Sequence, residues 1–122
     1  MIYEKDLSDK IIGCAFKVYN ELGSGFLEKV YENALLYELR KNGIACNNQV
    51  PLKVFYDRMV VGEYFADVLV ESKIIIELKV CEKLTNIHDA QLINYLKATK
   101  LKLGYLLNFC SKNKLEFKRL VY

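Results

Sequence analysis

Apolar residues along the chain change their period twice, and the changes divide it into elements. From about Asp9 to Leu22, Ile11, Ala15, Val18 and Leu22 recur at helical spacing, joined by Ile12, Phe16 and Tyr19. Ser8 or Asp6 is placed to cap this helix and Gly23 to end it. A second helix is expected after Gly25 and before Gly43, with Leu27, Val30, Tyr31, Ala34, Leu35 and Leu39 as its apolar stripe. The period then shortens. Gln49 to Tyr56 reads as a strand, Asp57-Arg58 as a turn, Val60 to Val70 as a second strand, and Ile74 to Val80 as a third rich in β-branched residues. Thr85 or Asn86 can cap a third helix from Ile87 to about Thr99. Leu101 to Phe109 is almost continuously apolar, as in a strand covered on both faces. Leu115 to Val121 reads as a last edge strand with Glu116 and Lys118 facing out. The order α-α-β-β-β-α-β-β, hairpins first and a helical crossover later, predicts an α/β fold with a mixed central sheet flanked by helices.

Length and composition narrow the picture. The 122 residues are one domain's worth, so residues 1–122 are expected to form a single domain. Apolar residues at 52% with charged residues at 27% exclude a disordered chain. No apolar run is long enough to span a bilayer, so no membrane partner is expected. Met1 to Lys10 alternates apolar and charged residues without a signal-peptide core. Cys14, Cys46, Cys81 and Cys110 form no CxxC pair and lie far in sequence from His88, the sole histidine, which argues against zinc. They read as reduced thiols, and the chain as cytoplasmic. The net charge of +3 permits a polyanionic partner without requiring one. Lys97, Lys100, Lys102, Lys112, Lys114, Lys118 and Arg119 read as a solvated face.

The chemistry lies in carboxylates set among apolar neighbours. If Glu71-Ser72-Lys73 is a three-residue hairpin loop, Asp67 falls opposite Glu77, with Cβ atoms roughly 5 Å apart. Alternation then puts Tyr64, Ala66, Val68, Val70, Ile74, Ile76, Leu78 and Val80 on one face. The other carries Phe65, Asp67, Leu69, Ile75, Glu77 and Lys79. Facing carboxylates repel, so Lys79 must neutralise one or an oxygen-seeking cation such as Mg²⁺ or Mn²⁺ must hold both. On the second helix, Glu28 lies within about 20° of Leu35 and Leu39 on the wheel, at the margin of the buried stripe. Glu32 falls nearer the outside. His88, Gln91 and Tyr95 share one side of the third helix, where His88 suits a first-turn role better than a ligand's. By themselves these patterns are equally those of a structural ion pair and of an acid favouring a helix N-terminus.

Taken in order, Gly25-Phe26-Leu27-Glu28-Lys29-Val30-Tyr31, Ala66-Asp67-Val68-Leu69-Val70, Ile76-Glu77-Leu78-Lys79 and Gln91-Leu92-Ile93-Asn94-Tyr95 resemble the GxxExxY proteins, a branch of the PD-(D/E)XK nuclease superfamily. The resemblance runs from about Asp9 to Val121. Ala66 stands where the name-giving proline would be. It implies a restriction-endonuclease-like core and a metal-dependent nuclease, acting on DNA more readily than RNA. Asp67, Glu77 and Lys79 would be the active site, with Glu28 as a further acid, Gln91 as a supporting glutamine and Tyr95 completing QxxxY. The implied cofactor is Mg²⁺ or Mn²⁺, held by Asp67, Glu77, Glu28 and the backbone carbonyl of Leu78. The alternative is a module that binds nucleic acid or protein without cutting it. The edge strand Leu115 to Val121 offers a surface for a homodimer.

Overall fold

A computed structural model describes residues 2–110 and 114–122. Lys112, assigned above to the basic face, lies outside the described residues. The elements run α1 (Lys5–Leu22), α2 (Glu28–Lys41), β1 (Cys46–Tyr56), β2 (Met59–Val70), β3 (Ile74–Lys79), α3 (Asn86–Thr99), β4 (Leu103–Asn108) and β5 (Glu116–Val121). This is the expected α/β order. The five strands form one mixed sheet in sequence order, with β3 and β4 parallel and the other neighbours antiparallel. The parallel pair is the one that α3 connects, because parallel neighbours need a crossover. β5 is an edge strand, as expected, but Glu116 does not face out: it is half-buried, and its Oε1 accepts from the Leu84 N–H and the Asn108 amide.

Helices cover both faces. Ile11, Ala15 and Val18 of α1 and Tyr31, Leu35 and Leu39 of α2 pack on Val68, Val70, Ile74, Ile76, Leu78, Tyr105 and Leu107. On the opposite face Leu92, Tyr95 and Leu96 of α3 pack on Leu52, Ala66, Ile75 and Leu106. Gly104 lets α3 come close: a Cβ there would lie 2.8 Å from a Leu92 methyl. The four cysteines are free, Cys14 and Cys46 buried and Cys81 and Cys110 half-buried. Among the described residues, no helix is long and apolar enough to cross a membrane.

Several sequence expectations shift. α1 begins at Lys5, so Asp6 and Ser8 lie inside the helix; Ser8 is buried and its hydroxyl accepts a hydrogen bond from Arg119. Gly23 ends the helix as expected, at a φ of 68°. Leu27, at 81% exposure, and Val30 leave the buried stripe of α2, while Glu32 enters it at 4%. The reason is breadth. The covered side of α2 includes Tyr31, Glu32, Leu35, Leu36, Glu38 and Leu39, wider than its apolar residues alone mark out.

The largest correction concerns the two faces of β2. Val68 and Val70 meet α1 and α2, but Ala66 and Tyr64 belong to the α3 side, with Leu69 and Ile75. Strict alternation would have kept Ala66 with Val68. The switch occurs where Gln49 and Asp67 face each other. β1 and β2 pair at Asn48↔Val68 and again at Val50↔Ala66, but not between. Gln49 there takes a left-handed φ of 47°. The pairing is interrupted at this one step, a local irregularity of the ladder at which the side chains of the hairpin change faces.

Candidate active site

The β2–β3 hairpin has the expected register, with Val70↔Ile74, Leu69↔Ile75 and Val68↔Ile76. The ladder stops one step short of Asp67 and Glu77, which use side chains in place of backbone pairing. Oε2 of Glu77 accepts from the Asp67 N–H at 2.8 Å, and Oδ2 of Asp67 accepts from the Leu78 N–H at 2.9 Å. Each carboxylate thus grips the other's strand, and two acids are held side by side where strands normally carry apolar residues.

Burial decides the electrostatics. Glu77 is only 3% exposed. Desolvation, reinforced by the charge of Asp67, lifts its carboxyl from 4.5 to about 8, against the pull of the Asp67 N–H and of Lys79. Burial also raises Asp67, opposed by its hydrogen bonds from Leu78 and Gln49. Among the described residues the carboxylate ion pairs are made by Glu4, Asp9, Glu32, Glu38 and Asp89, and neither Asp67 nor Glu77 takes part in one. Neutralisation of one of them by Lys79 was one of the two alternatives the sequence offered. Instead its Nζ donates to Oε1 of Gln91 at 2.8 Å, acting on the acids through space.

α3 supplies the wall beside this pair. Its start is fixed by a reciprocal cap: His88 Nδ1 accepts from the Thr85 N–H at 3.0 Å while the Thr85 side chain takes the His88 N–H. His88 is therefore a capping residue. One turn on, Gln91 points at Lys79, and Tyr95 is buried with its ring 5.2 Å from that of Tyr64. Burial, with the charges of Glu77 and Asp67, holds the Tyr95 hydroxyl above its usual range.

Glu28 opens α2 and stays open to solvent. Partial desolvation raises its carboxyl, and next the charge of Asp67, so it shares the field of the site from the other side of the sheet. Its placement follows from the segment before it. Gly25 has a φ of 115°, a conformation suited to glycine. Tyr31 is fully buried and stacks on Phe109 at 4.5 Å. Its hydroxyl donates to the Gly23 carbonyl at 2.6 Å and accepts from the Phe26 N–H at 3.2 Å. The glycine, the acid and the tyrosine of the GxxExxY pattern are thus a bent segment, a charge at its end and the clamp that holds it.

The structure therefore brings Asp67, Glu77, Lys79, Gln91 and Tyr95 together, with Glu28 within Coulombic reach. Among the described residues, no three His, Cys, Asp or Glu side chains form a ready-made metal cage. Two further residues belong to the neighbourhood. Glu32 accepts from Lys29, Asn48 and Gln49, and Gln49 also donates to Asp67 at 3.3 Å. Three polar residues in a row at Asn47-Asn48-Gln49, inside a strand, were the available signal.

The comparisons with known proteins bear on the family and the fold. The profile of the PD-(D/E)XK nuclease superfamily matches residues 5–120. No curated protein matches the chain. The crystal structure of SSO0001 shares the fold with a TM-score of 0.60 at 20% identity over 98% of this chain. This chain spans 59% of the length of that one. With the profile covering nearly every residue, the chain belongs to the PD-(D/E)XK nuclease superfamily.

Proposed function

We propose that the protein is a phosphodiesterase of the GxxExxY branch that hydrolyses nucleic acid, DNA in preference to RNA, with Mg²⁺ or Mn²⁺. The observation that carries this reading is Glu77, a buried acid set against a second acid with no ion-pair partner. Such a pair is unfavourable in the protein alone and becomes favourable when a hard cation joins it. The donor chemistry suits that cation: carboxylate oxygens of Asp67 and Glu77 would hold it, with the Leu78 carbonyl at the same strand end and Glu28 as further oxygen donors. When bound, a divalent cation supplies Lewis-acid stabilisation of charge on a phosphate.

The chain's own residues do the rest. Asp67 and Glu77 hold their carboxylates against backbone N–H groups, so little reorganisation is needed at the moment of reaction. Glu77 would hold a cation as the carboxylate, its proton passing to solvent. Lys79, held by Gln91, presents an ammonium to the attacking water and to the developing negative charge. Tyr95 walls the site with a hydroxyl that stays protonated.

The test is a calorimetric titration with Mn²⁺ and Mg²⁺ on the wild type and on Asp67→Asn combined with Glu77→Gln, followed by cleavage assays on DNA and RNA. Binding and cleavage lost together in the double variant are the expected result. A double variant that cleaves like the wild type overturns the assignment. Salt-sensitive DNA binding that ignores both substitutions and needs no metal would mark a binding module instead.

A further inference from the structure

We propose that Gln49, anchored on Glu32, is a positioning residue that sets the orientation of the Asp67 carboxylate. This rests on Asp67 being a metal ligand, as inferred above, and adds a line of residues reaching it from α2 through β1.

The backbone singles Gln49 out first. It faces Asp67 at the break between Asn48↔Val68 and Val50↔Ala66, in a left-handed conformation that glycine or asparagine adopts more readily. If the irregularity of the ladder were the only requirement, either of those would serve better. The glutamine side chain has its own task. Its Nε2 donates to Oε1 of Glu32 at 2.8 Å and to Oδ1 of Asp67 at 3.3 Å, one hydrogen for each. The other Asp67 oxygen, Oδ2, takes the Leu78 N–H. The carboxylate is therefore tied at both oxygens, to β3 by one and to β1 by the other, and its plane is set.

Glu32 is the fixed end of this line. It is buried within α2, and its oxygens take Gln49 on one side and Lys29, at 2.6 Å, with Asn48, at 3.1 Å, on the other. A carboxylate so supplied with donors is an anchor rather than a metal ligand. An amide placed between two acids and donating to both can hold one at a set angle from the other, which a carboxylate in its place could not do. Residues of this kind behind metal ligands typically matter 10–100-fold in metal affinity.

The test uses Gln49→Gly, which removes the side chain and relieves the left-handed backbone, so the fold is retained; Glu32→Gln is the second variant, and Asn48→Ala, which touches Glu32 but not Asp67, is the control. Two readouts are taken on the full chain. Mn²⁺ calorimetry is expected to show affinity about 10–100-fold weaker for Gln49→Gly, weaker also for Glu32→Gln, and within about twofold of wild type for Asn48→Ala. Without metal, the Leu78 amide proton, bonded to Asp67 Oδ2, is expected to shift and to exchange faster in the first two variants only. A Leu78 resonance that stays in place in a folded Gln49→Gly protein overturns the proposal, as does an unchanged Mn²⁺ affinity. A wild type that binds no Mn²⁺ overturns the metal reading instead, and the Leu78 resonance then decides the positioning role alone.

Discussion

Glu32 and Glu77 are two acids almost equally shielded from solvent, 4% and 3% exposed, and their environments drive them in opposite directions. Burial penalises both charges. At Glu32 hydrogen bonds from Lys29, Asn48 and Gln49 outweigh that penalty and hold the carboxyl below its ordinary range. At Glu77, which is set deeper, a single backbone N–H opposes the burial penalty and the charge of Asp67, and the carboxyl rises to about 8. The difference lies in the partners supplied together with depth: Glu77 sits deeper among protein atoms and has fewer donors. A chain that satisfies one buried acid with three side-chain donors leaves the other short of positive charge at the place where Lys79, Gln91 and Tyr95 converge. Uncompensated charge gathered at one place is the physical mark of a site that something else completes.

The largest expected effect separates the two acids by function. Glu77→Gln and Asp67→Asn should each reduce Mg²⁺-dependent cleavage of DNA by about 10²–10³-fold or more, the scale seen when a preorganised charge-stabilising group is lost. Glu32→Gln should keep measurable cleavage, because it leaves both carboxylates of the pair in place. Single-turnover rates at saturating metal would decide it. Cleavage lost completely on Glu32→Gln and kept on Glu77→Gln would invert the comparison.

The pH dependence comes next, and its sign follows from the raised carboxyl. The native state keeps the Glu77 proton up to about pH 8, while the unfolded chain loses it near 4.5. Between those values the native state binds the extra proton, so stability without metal should fall as pH rises, by about 1 kcal/mol per pH unit at the steepest. Below pH 4.5 the contribution is fully present, and above pH 8 the decline should end. Urea unfolding across this window should show the slope in the wild type and a flatter one in Glu77→Gln. Mn²⁺ binding at pH 7 should release close to one proton, measurable by calorimetry in buffers of different ionisation enthalpy, and Glu77→Gln should remove that release.

A smaller effect concerns the stability of the two acids' replacements at high pH. Glu77→Gln removes a repelled charge and should stabilise the metal-free protein. Glu32→Gln weakens charged hydrogen bonds to Gln49, Asn48 and Lys29 and should destabilise it by about 2 kcal/mol. Chemical denaturation at pH 9 would show whether the signs differ. Equal signs would mean that the protein tolerates the two charges alike.

Much of this was legible in the sequence because it depends on local rules. The three-residue loop at Glu71–Lys73 set the hairpin register, and with it the meeting of Asp67 and Glu77. Thr85 and Gly23 marked helix ends where they were expected to. What stayed hidden depends on features that periodicity does not encode. A left-handed residue inside β1 carries no apolar signature, so the face switch at Gln49 and Asp67, and the placement of Tyr64 and Ala66 beside α3, could not be read. Glu32 was placed nearer the outside because its wheel position lies off the apolar stripe, and only the width of the cover over α2 shows otherwise. The Lys79–Gln91 bond was open for a related reason: a lysine between two acids and an amide can choose either, and the choice is tertiary.

The smallest prediction tests whether the tyrosine of the GxxExxY segment belongs with the anchors or with the site. Tyr31→Phe keeps the ring stacked on Phe109 and removes only the hydroxyl that joins the Gly23 carbonyl to the Phe26 N–H. The loss should be about 1 kcal/mol, a single hydrogen-bonding group's net contribution. Its consequence for the site should pass through Glu28, whose helix starts at the end of that clamped segment. Tyr31 is not expected to touch substrate or metal, so Mn²⁺ affinity should fall by no more than it falls in Glu28→Gln, and combining the two substitutions should add little to Glu28→Gln alone. Full additivity in the calorimetric double-mutant cycle would show that Tyr31 supports the pair of acids by another route, and the bent segment would then be a stabilising feature separate from the acid it carries.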